Sequence, residues 1–486
     1  MRQVKPGVEI DGYLLEEKLH QGGMATIWRV SHAGMTAPLV MKIPRLKSVD
    51  DPTAIVGFEV EQMIMKKLSG PHVPKFYAAS DLTDQPYIVM ERIDGQPLSQ
   101  RLDSLPLDID EVADIGRRIA TGLHQLHRQH VIHLDVKPSN IMFRPGGEAV
   151  FVDFGLSRHD QLPDLLAEDF RLPLGTGPYI SPEQVLHVRN DPRSDLFAIG
   201  ALLYFLLTGK RPFGFPTTVA GLRKRLYSDP APPISLRPDC PPWLQEIILR
   251  CLAAEPAQRY GSAAELAMQL QHPEQVVLTE RAAKRKTDGL GTVARRWLKS
   301  LGTEALSSQS AEQQTSRALM LMVAVDLTHG EDALSDKLRF MSNRILQIEP
   351  EARVACVSVL KTHRIALDLN EDSEGRNAHL QKLIALKHWS RGLSAQGERV
   401  THHVLAHYDP ASALLEHAEH CQVDHLLLGA RGSSRLRRHL GSVSAEVVAR
   451  ATCSVTVVRA DVPSQHRADE PVAGDKRRGD ELPECP

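Results

Sequence analysis

The residues of this chain best suited to chemistry form one ordered series, and the chemistry they suit is that of phosphate groups. Gly22 and Gly23 follow a strand-like run at 13–19. A glycine-rich turn between two strands lets backbone N–H groups approach phosphates closely. Lys42 lies in the apolar run LVMKI, where a lysine needs an anionic partner. The segment Phe58-Glu59-Val60-Glu61 opens a helix whose inward face reads Phe58, Glu61, Met65 and Leu68. That spacing turns Glu61, rather than Glu59, toward the buried side and Lys42. Asp135, Lys137 and Asn140 follow in VIHLDVKPSN, then Asp153 in VDFG, then Thr176 and Glu183 in GTGPYISPE. A hairpin, a structural ion pair or a plain turn would explain any one of these alone. The ordered set is harder to explain that way.

On these motifs, residues 10–272 resemble the bacterial branch of the eukaryotic-like (Hanks-type) Ser/Thr protein kinases. The resemblance implies ATP and Mg2+, with two ions, as cofactors, and protein substrates that include the chain itself through autophosphorylation. It implies that Lys42 holds the α/β-phosphates and pairs with Glu61, that Asp153 and Asn140 hold the metals, and that Asp135 receives the proton of the substrate hydroxyl. Lys137 would reach the γ-phosphate, and Thr176 would bridge to Asp135 and Lys137, both in the Ser/Thr-kinase manner. The ATP pocket would be formed by Leu19, His20, Gln21, Gly22, Gly23, Met24, Ala25, Ile27 and Val40. Its hinge would be Met90, Glu91 and Ile93, with Met142 as floor. Asp195 would anchor the catalytic-loop backbone, and Glu183 would pair with Arg259.

The chain departs from the family pattern in three places. His20 and Ala25 stand where glycines are usual, and Val40 stands where an alanine usually covers the adenine, so weaker ATP binding is expected. Leu134 replaces the arginine that commonly precedes the catalytic Asp and couples it to a phosphorylated activation loop. Between Gly155 and Gly175 the only hydroxyl residue is Ser157. The expectation is a non-RD kinase whose loop is ordered by other contacts, with Asp169 and Arg171 as candidates.

Several elements must carry these groups. At 486 residues the chain exceeds a single ordinary core, so two or three domains are expected. Composition is 42% hydrophobic and 24% charged with a net charge of −2, which describes a globular chain with no global attraction to nucleic acid. The 22 histidines show no metal-ligand spacing, and the six cysteines are far apart, which suits a reducing cytoplasm. The N-terminus has no apolar signal core, and the run LFAIGALLYFLL is shorter than the roughly 20 residues that span a bilayer. That run reads as a buried helix.

The boundaries follow from composition. Residues 1–272 form the first domain, an α+β bilobal kinase fold with an N-lobe of 1–91 and a C-lobe of 95–272. Residues 273–316 are a basic and polar linker. Within it, Leu290, Val293, Trp297, Leu298 and Leu301 share one helical face, read as a helix docked on a domain in preference to one on a membrane surface. Residues 317–461 alternate apolar runs (318–325, 354–360, 400–406, 425–430 and 454–459) with helical stretches, which implies a parallel sheet covered on both faces. The tail, 462–486, is polar and expected to be disordered.

The second domain resembles a universal stress protein domain, an α/β doubly wound fold. The residues that carry the resemblance are VAVD ending at Asp326, DHLLLGARG at 424–432, LGSVS at 440–444 and CSVTVV at 453–458. In ATP-binding members the glycine loop and following helix start hold ribose and phosphates, which implies Asp326, Gly429, Gly432, Gly441 and Ser442 as a second nucleotide site. The alternative is a fold kept without nucleotide, Ser442 being an N-cap. Such domains pair through the last strand, so a homodimer is expected. The leading reading is a kinase controlled or localised by this domain. Its rival is a pseudokinase scaffold that senses nucleotide, which would not need Lys42, Glu61, Asp135, Asn140 and Asp153 together.

Overall fold

A computed structural model describes residues 4–45, 52–80, 82, 85–307, 318–328, 332–362, 377–395, 397–430 and 441–459. The N-terminal part is a six-stranded antiparallel sheet with order β1-β2-β3-β4-β6-β5. Its strands are β1 (Glu9–Ile10), β2 (Tyr13–Gln21), β3 (Ala25–His32), β4 (Met35–Pro44), β5 (Phe76–Ser80) and β6 (Tyr87–Glu91). Successive side chains on a strand point to opposite faces. Leu39, Met41 and Ile43 of β4 therefore enter one core with Trp28 and Val89. Val40 and Lys42 face the other way, where Val40 joins the core that includes the helix α1 (Pro52–Met65).

The C-lobe is built on α4 (Arg193–Thr208), the helix containing LFAIGALLYFLL. A helix that is apolar all round must be buried all round. It packs between α2 (Ile109–Arg128) and α5 (Pro242–Cys251), and α6 (Ala263–Gln271) lies against α2. The small strands β7 (Gln96–Pro97), β9 (Ile141–Phe143) and β10 (Ala149–Phe151) form one sheet, and β8 (Val131–Ile132) pairs with β11 (Arg158–His159). These pairs fix both ends of the loops that carry Asp135 and Asp153. The activation segment contributes a short helix, α3 (Leu165–Asp169), N-capped by Asp164.

A helix α7 (Leu290–Ser307) crosses the linker. Its anchor is charge: Arg296 meets Asp229 at 3.1 Å and Asp288 at 2.9 Å, and Lys299 meets Glu255 at 3.2 Å. The expectation of docking through an apolar stripe is corrected, because Trp297 and Leu298 are exposed while Val293 is half-buried. No helix among the described residues is long and apolar enough to cross a membrane.

The C-terminal part is a five-stranded, all-parallel sheet of β12 (Met320–Ala324), β13 (Arg353–Lys361), β14 (Val400–His407), β15 (His425–Ala430) and β16 (Ser454–Arg459). Its order, β14-β13-β12-β15-β16, reverses direction at β12, which is the doubly wound arrangement. Helices α8 (Ala333–Ile348) and α9 (Ala378–Ser390) cover one face around Trp389. Helices α10 (Pro410–His420) and α11 (Ser442–Arg450) cover the other through Leu414 and Val447. Cys485 and the tail at 462–486 lie outside the described residues.

The C-lobe is pinned by a bidentate pair: Arg259 Nη1 and Nη2 meet Glu183 Oε1 and Oε2 at 2.6 and 2.8 Å, with both side chains buried. Removing one partner leaves an uncompensated buried charge, which costs about 3–5 kcal/mol. Arg259→Met is expected to lower unfolding stability by that amount, measured by urea denaturation of the full chain.

Candidate active site

Lys42 is the hub of the site. In the ladder it sits opposite Ile27 of β3 and Ile88 of β6, so its strand is fixed on both sides. Its Nζ donates to Glu61 Oε2 at 2.6 Å and to Asp153 Oδ1 at 2.8 Å. Burial pushes the ammonium pKa down, and the two carboxylates more than reverse this, leaving it above its ordinary value. The Lys42 charge in turn holds Asp153 at about 2. Burial lifts the Glu61 carboxyl, opposed by Lys42. Glu61 is 2% exposed, and Phe58, Met65 and Leu68 are buried as well, but the helix begins at Pro52 rather than at Phe58, and Leu68 lies beyond its end.

The position of α1 has a further cause that the hydrophobic pattern did not reveal. A Cβ on Gly57 would lie 3.0 Å from the carbonyl oxygen of Gly155. The helix carrying Glu61 and the turn carrying Asp153 thus approach backbone to backbone, a closeness that favours glycine at Gly57.

Asp135 is gripped from three directions. Its Oδ2 accepts from Lys137 Nζ at 2.6 Å and from Asn140 Nδ2 at 3.0 Å, and its Oδ1 accepts from Thr176 Oγ1 at 2.6 Å. Lys137 Nζ also lies 3.0 Å from Thr176 Oγ1. Because Asn140 spends its amide N–H groups on Asp135, its carbonyl oxygen faces the other way, toward Ser139 Oγ at 3.2 Å. Two positive-φ residues complete the geometry, Leu134 at 60° and Asp153 at 67°. Such backbone costs of order 1–3 kcal/mol and persists where the surroundings over-determine it. At Leu134 they do: Asp195 accepts the N–H groups of His133 at 2.9 Å and Leu134 at 2.8 Å, while Gln184 donates to the Leu134 carbonyl at 2.9 Å. His127 shares the same Asp195 carboxylate. Leu134 itself is buried, as is Ser157, whose hydroxyl donates to the His133 carbonyl at 3.0 Å.

Asn140 and the half-exposed carboxylate of Asp153 are hard oxygen donors of the kind that Mg2+ prefers. Mg2+ usually takes one or two such groups from protein and completes its shell with phosphates and water, so the residues fit the ion. Around the cleft, Val40, Met90 and Ile93 are buried, Ile27 and Met142 half-buried, and Leu19 and Met24 exposed. The turn after His20 and Gln21 is closed by a Gly22 N–H to Ala25 carbonyl bond of 2.9 Å. Sequence reasoning missed Arg144, which meets Glu91 of the hinge at 2.5 and 2.9 Å. It also missed Arg225, whose guanidinium is buried and donates to the carbonyls of Gly177, at 2.8 Å, and Ile180.

In the second domain, Gly429 is an interior residue of β15, and its missing Cβ is the space filled by Leu334 Cδ2, 2.7 Å away. A side chain there would force Leu334 to move, so helix packing accounts for the glycine. Gly441 is the N-cap of α11 and Ser442 its first residue, which corrects the alternative that Ser442 is the cap. Asp326, just past β12, accepts from Thr328. Gly432 lies outside the described residues.

Residues 13–273 match the family described as protein kinase domain. The chain belongs to the protein kinase family. Residues 320–459 match the universal stress protein family. The kinase part is 30% identical over 260 residues to the serine/threonine-protein kinase PknL of Mycobacterium tuberculosis, covering 53% of this chain and 65% of that protein. It is 34% identical over 273 residues to the serine/threonine-protein kinase pkn3 of Myxococcus xanthus, covering 53% and 49%. The chain thus spans between about half and two thirds of the length of these curated relatives. A crystal structure of the M. tuberculosis PknI kinase domain is 24% identical, covering 56% of this chain and all of that one, with a TM-score of 0.45.

Lys42→Met is expected to raise the Asp153 pKa from about 2 toward the ordinary carboxylate range, read by carbon NMR of the labelled side chain. The sign follows from linkage: a depressed carboxylate stabilises the folded state above its ordinary pKa of about 4 and loses that contribution as pH falls toward its folded value. An unchanged titration would show that Lys42 does not set the Asp153 charge.

Proposed function

We propose that this chain is a serine/threonine protein kinase that transfers the γ-phosphoryl group of ATP, with Mg2+, to hydroxyls of proteins including itself. The observation that carries the reading is the clamp on Asp135, with Lys137 and Thr176 converging on one carboxylate beside Asn140. Phosphoryl transfer asks for positioning and charge neutralisation, and each of these residues has such a task. Asp135 accepts the substrate proton, Lys137 neutralises developing phosphate charge, and Thr176 sets the peptide-side wall. Lys42, oriented by Glu61, holds the ATP phosphates. Asp153 and Asn140 would hold Mg2+, whose charge would offset that of the phosphates.

The reading includes the non-RD character. Leu134 puts an apolar side chain where a phosphate-binding cation would be needed, and the hydroxyl of Ser157 is buried and engaged. Regulation then falls to the second domain. A nucleotide there is supported by Asp326 and by the N-terminus of α11 at Gly441 and Ser442, since ligands of doubly wound sheets sit beyond strand C-termini near helix N-termini.

Transfer of labelled γ-phosphate to the protein itself and to a basic protein tests the chemistry. Asp135→Asn is expected to lower kcat by about 10²–10⁴-fold, the usual contribution of a positioned base, and Asp153→Asn to abolish incorporation. Equal incorporation in wild type and Asp153→Asn would sink the enzyme reading. Mass spectrometry of active protein is expected to find no phosphate within 156–174; obligatory phosphate there would overturn the non-RD reading.

A further inference from the structure

The second domain touches the kinase domain at two elements whose positions phosphoryl transfer requires. The first is α1. While Glu61 turns inward to Lys42, Glu59 turns outward and pairs with Lys387 of α9. Beyond the end of α1, Lys67 meets Glu398 at 2.8 Å. Leu380 and Leu383 of α9 and Val404 of β14 join the same apolar cluster as Val56 and Ile55 of α1, so apolar side chains accompany the charged pairs, beside a cavity lined by Pro52, Val56, Phe170, His379 and Val404.

The second is α3 of the activation segment. Arg353 Nη2 of β13 meets Glu168 Oε1 at 2.7 Å. His403 of β14 meets Asp169 Oδ1 through Nδ1 at 2.6 Å and lies 3.3 Å from Glu168 Oε2 through Nε2. Arg171, just beyond, donates to the Glu416 carbonyl at 3.0 Å. An activation segment switched by phosphate offers an anion to a cation of the catalytic loop. Here the segment offers fixed carboxylates, and the cations come from the second domain.

We propose that the C-terminal domain is an activating clamp, in which Lys387, Arg353 and His403 are positioning residues that hold α1 and α3 in the arrangement needed for phosphoryl transfer. The inference rests on the kinase reading above and specifies its control. Activation, rather than inhibition, follows from the state that the docked domain accompanies. With these contacts made, Lys42–Glu61 is closed at 2.6 Å and Thr176–Asp135 at 2.6 Å. A domain that binds this state preferentially must raise its population.

His403 gives the clamp a pH signature. Burial pushes the imidazole down, but Asp169 and Glu168 override it and hold it up at about 10. A histidine away from these carboxylates titrates near about 6.5, so docking takes up a proton. Its contribution is complete below that value and is lost as pH rises through about 10. Other histidines face the same contact, among them His420 of α10, whose Nε2 donates to the Ala167 carbonyl of α3 at 2.6 Å. His417, its ring 4.8 Å away, and His402 are held at about 3 by burial, and burial also lowers His379.

The test uses the full chain, with steady-state transfer to a protein substrate. Glu59→Lys and Lys387→Glu are each expected to lower kcat about tenfold, a typical coupling between sites. The exchanged pair, Glu59→Lys with Lys387→Glu, is expected to recover most of the loss, which a merely destabilising substitution would not do. His403→Gln is expected to flatten the decline of kcat between pH 7 and 9. Wild-type kcat in both single variants, a rise in either, or no recovery in the exchanged pair would overturn the clamp. Those outcomes leave the kinase reading standing, because that reading fails on a different result: no transfer by wild type above Asp153→Asn.

Discussion

One buried ammonium group ties the site together. Lys42 stands on a strand hydrogen-bonded on both sides and reaches one carboxylate from a helix and another from the turn after β10. Two anions brought this close repel each other unless a cation lies between them. The lysine therefore sets the distance between α1 and the Asp153 turn, and the glycine contact of Gly57 with Gly155 lets the backbones accept it. A side chain at either glycine would press on the opposing backbone, at 3.0 Å from Gly57 and 3.3 Å from Gly155, and would have to push the two elements slightly apart.

The C-lobe solves a different problem, that of holding a strained loop still. Asp195 projects from the buried helix α4 and satisfies two consecutive backbone N–H groups, one of them from a leucine in left-handed backbone. A carboxylate that accepts several N–H bonds in a dry setting is rigid as well as stable. The same loop then offers Asp135 to Lys137, Asn140 and Thr176 in a fixed direction. The apolar character of α4 is thus more than core filling, since it gives that carboxylate an immobile base.

Much of this was legible in the sequence because it depends on periodicity and on order. The apolar run LVMKI called for an anionic partner at Lys42, helical spacing chose Glu61 over Glu59, and the apolar runs of the second domain became β12 to β16 within a residue or two. What stayed hidden depends on distance across the fold. Nothing in LRKRL at 222–226 distinguishes Arg225, which is buried against two carbonyls, from its solvated neighbours. Nothing marks Gly57 or Gly429 until the opposing atom is known. The apolar face of α7 misled for the opposite reason: a helical stripe predicts burial only when a partner surface lies opposite, and here the ion pairs of Arg296 and Lys299 hold the helix by another side. Histidines looked dispersed along the chain, yet β14 and α10 bring the rings of His403 and His417 within 4.8 Å, tilted by 52°.

The ion pairs between α3 and the second domain also have a bearing on response to abundance. Both partners of each pair belong to one polypeptide, so their encounter is unimolecular and its equilibrium does not contain the protein concentration. An activator supplied as a separate subunit would dissociate on dilution and saturate on overexpression. A tethered one keeps the same engaged fraction at a few copies per cell as at thousands. Whatever alters engagement must therefore act on the contact itself, through a proton, a bound ligand or a strain in the second sheet.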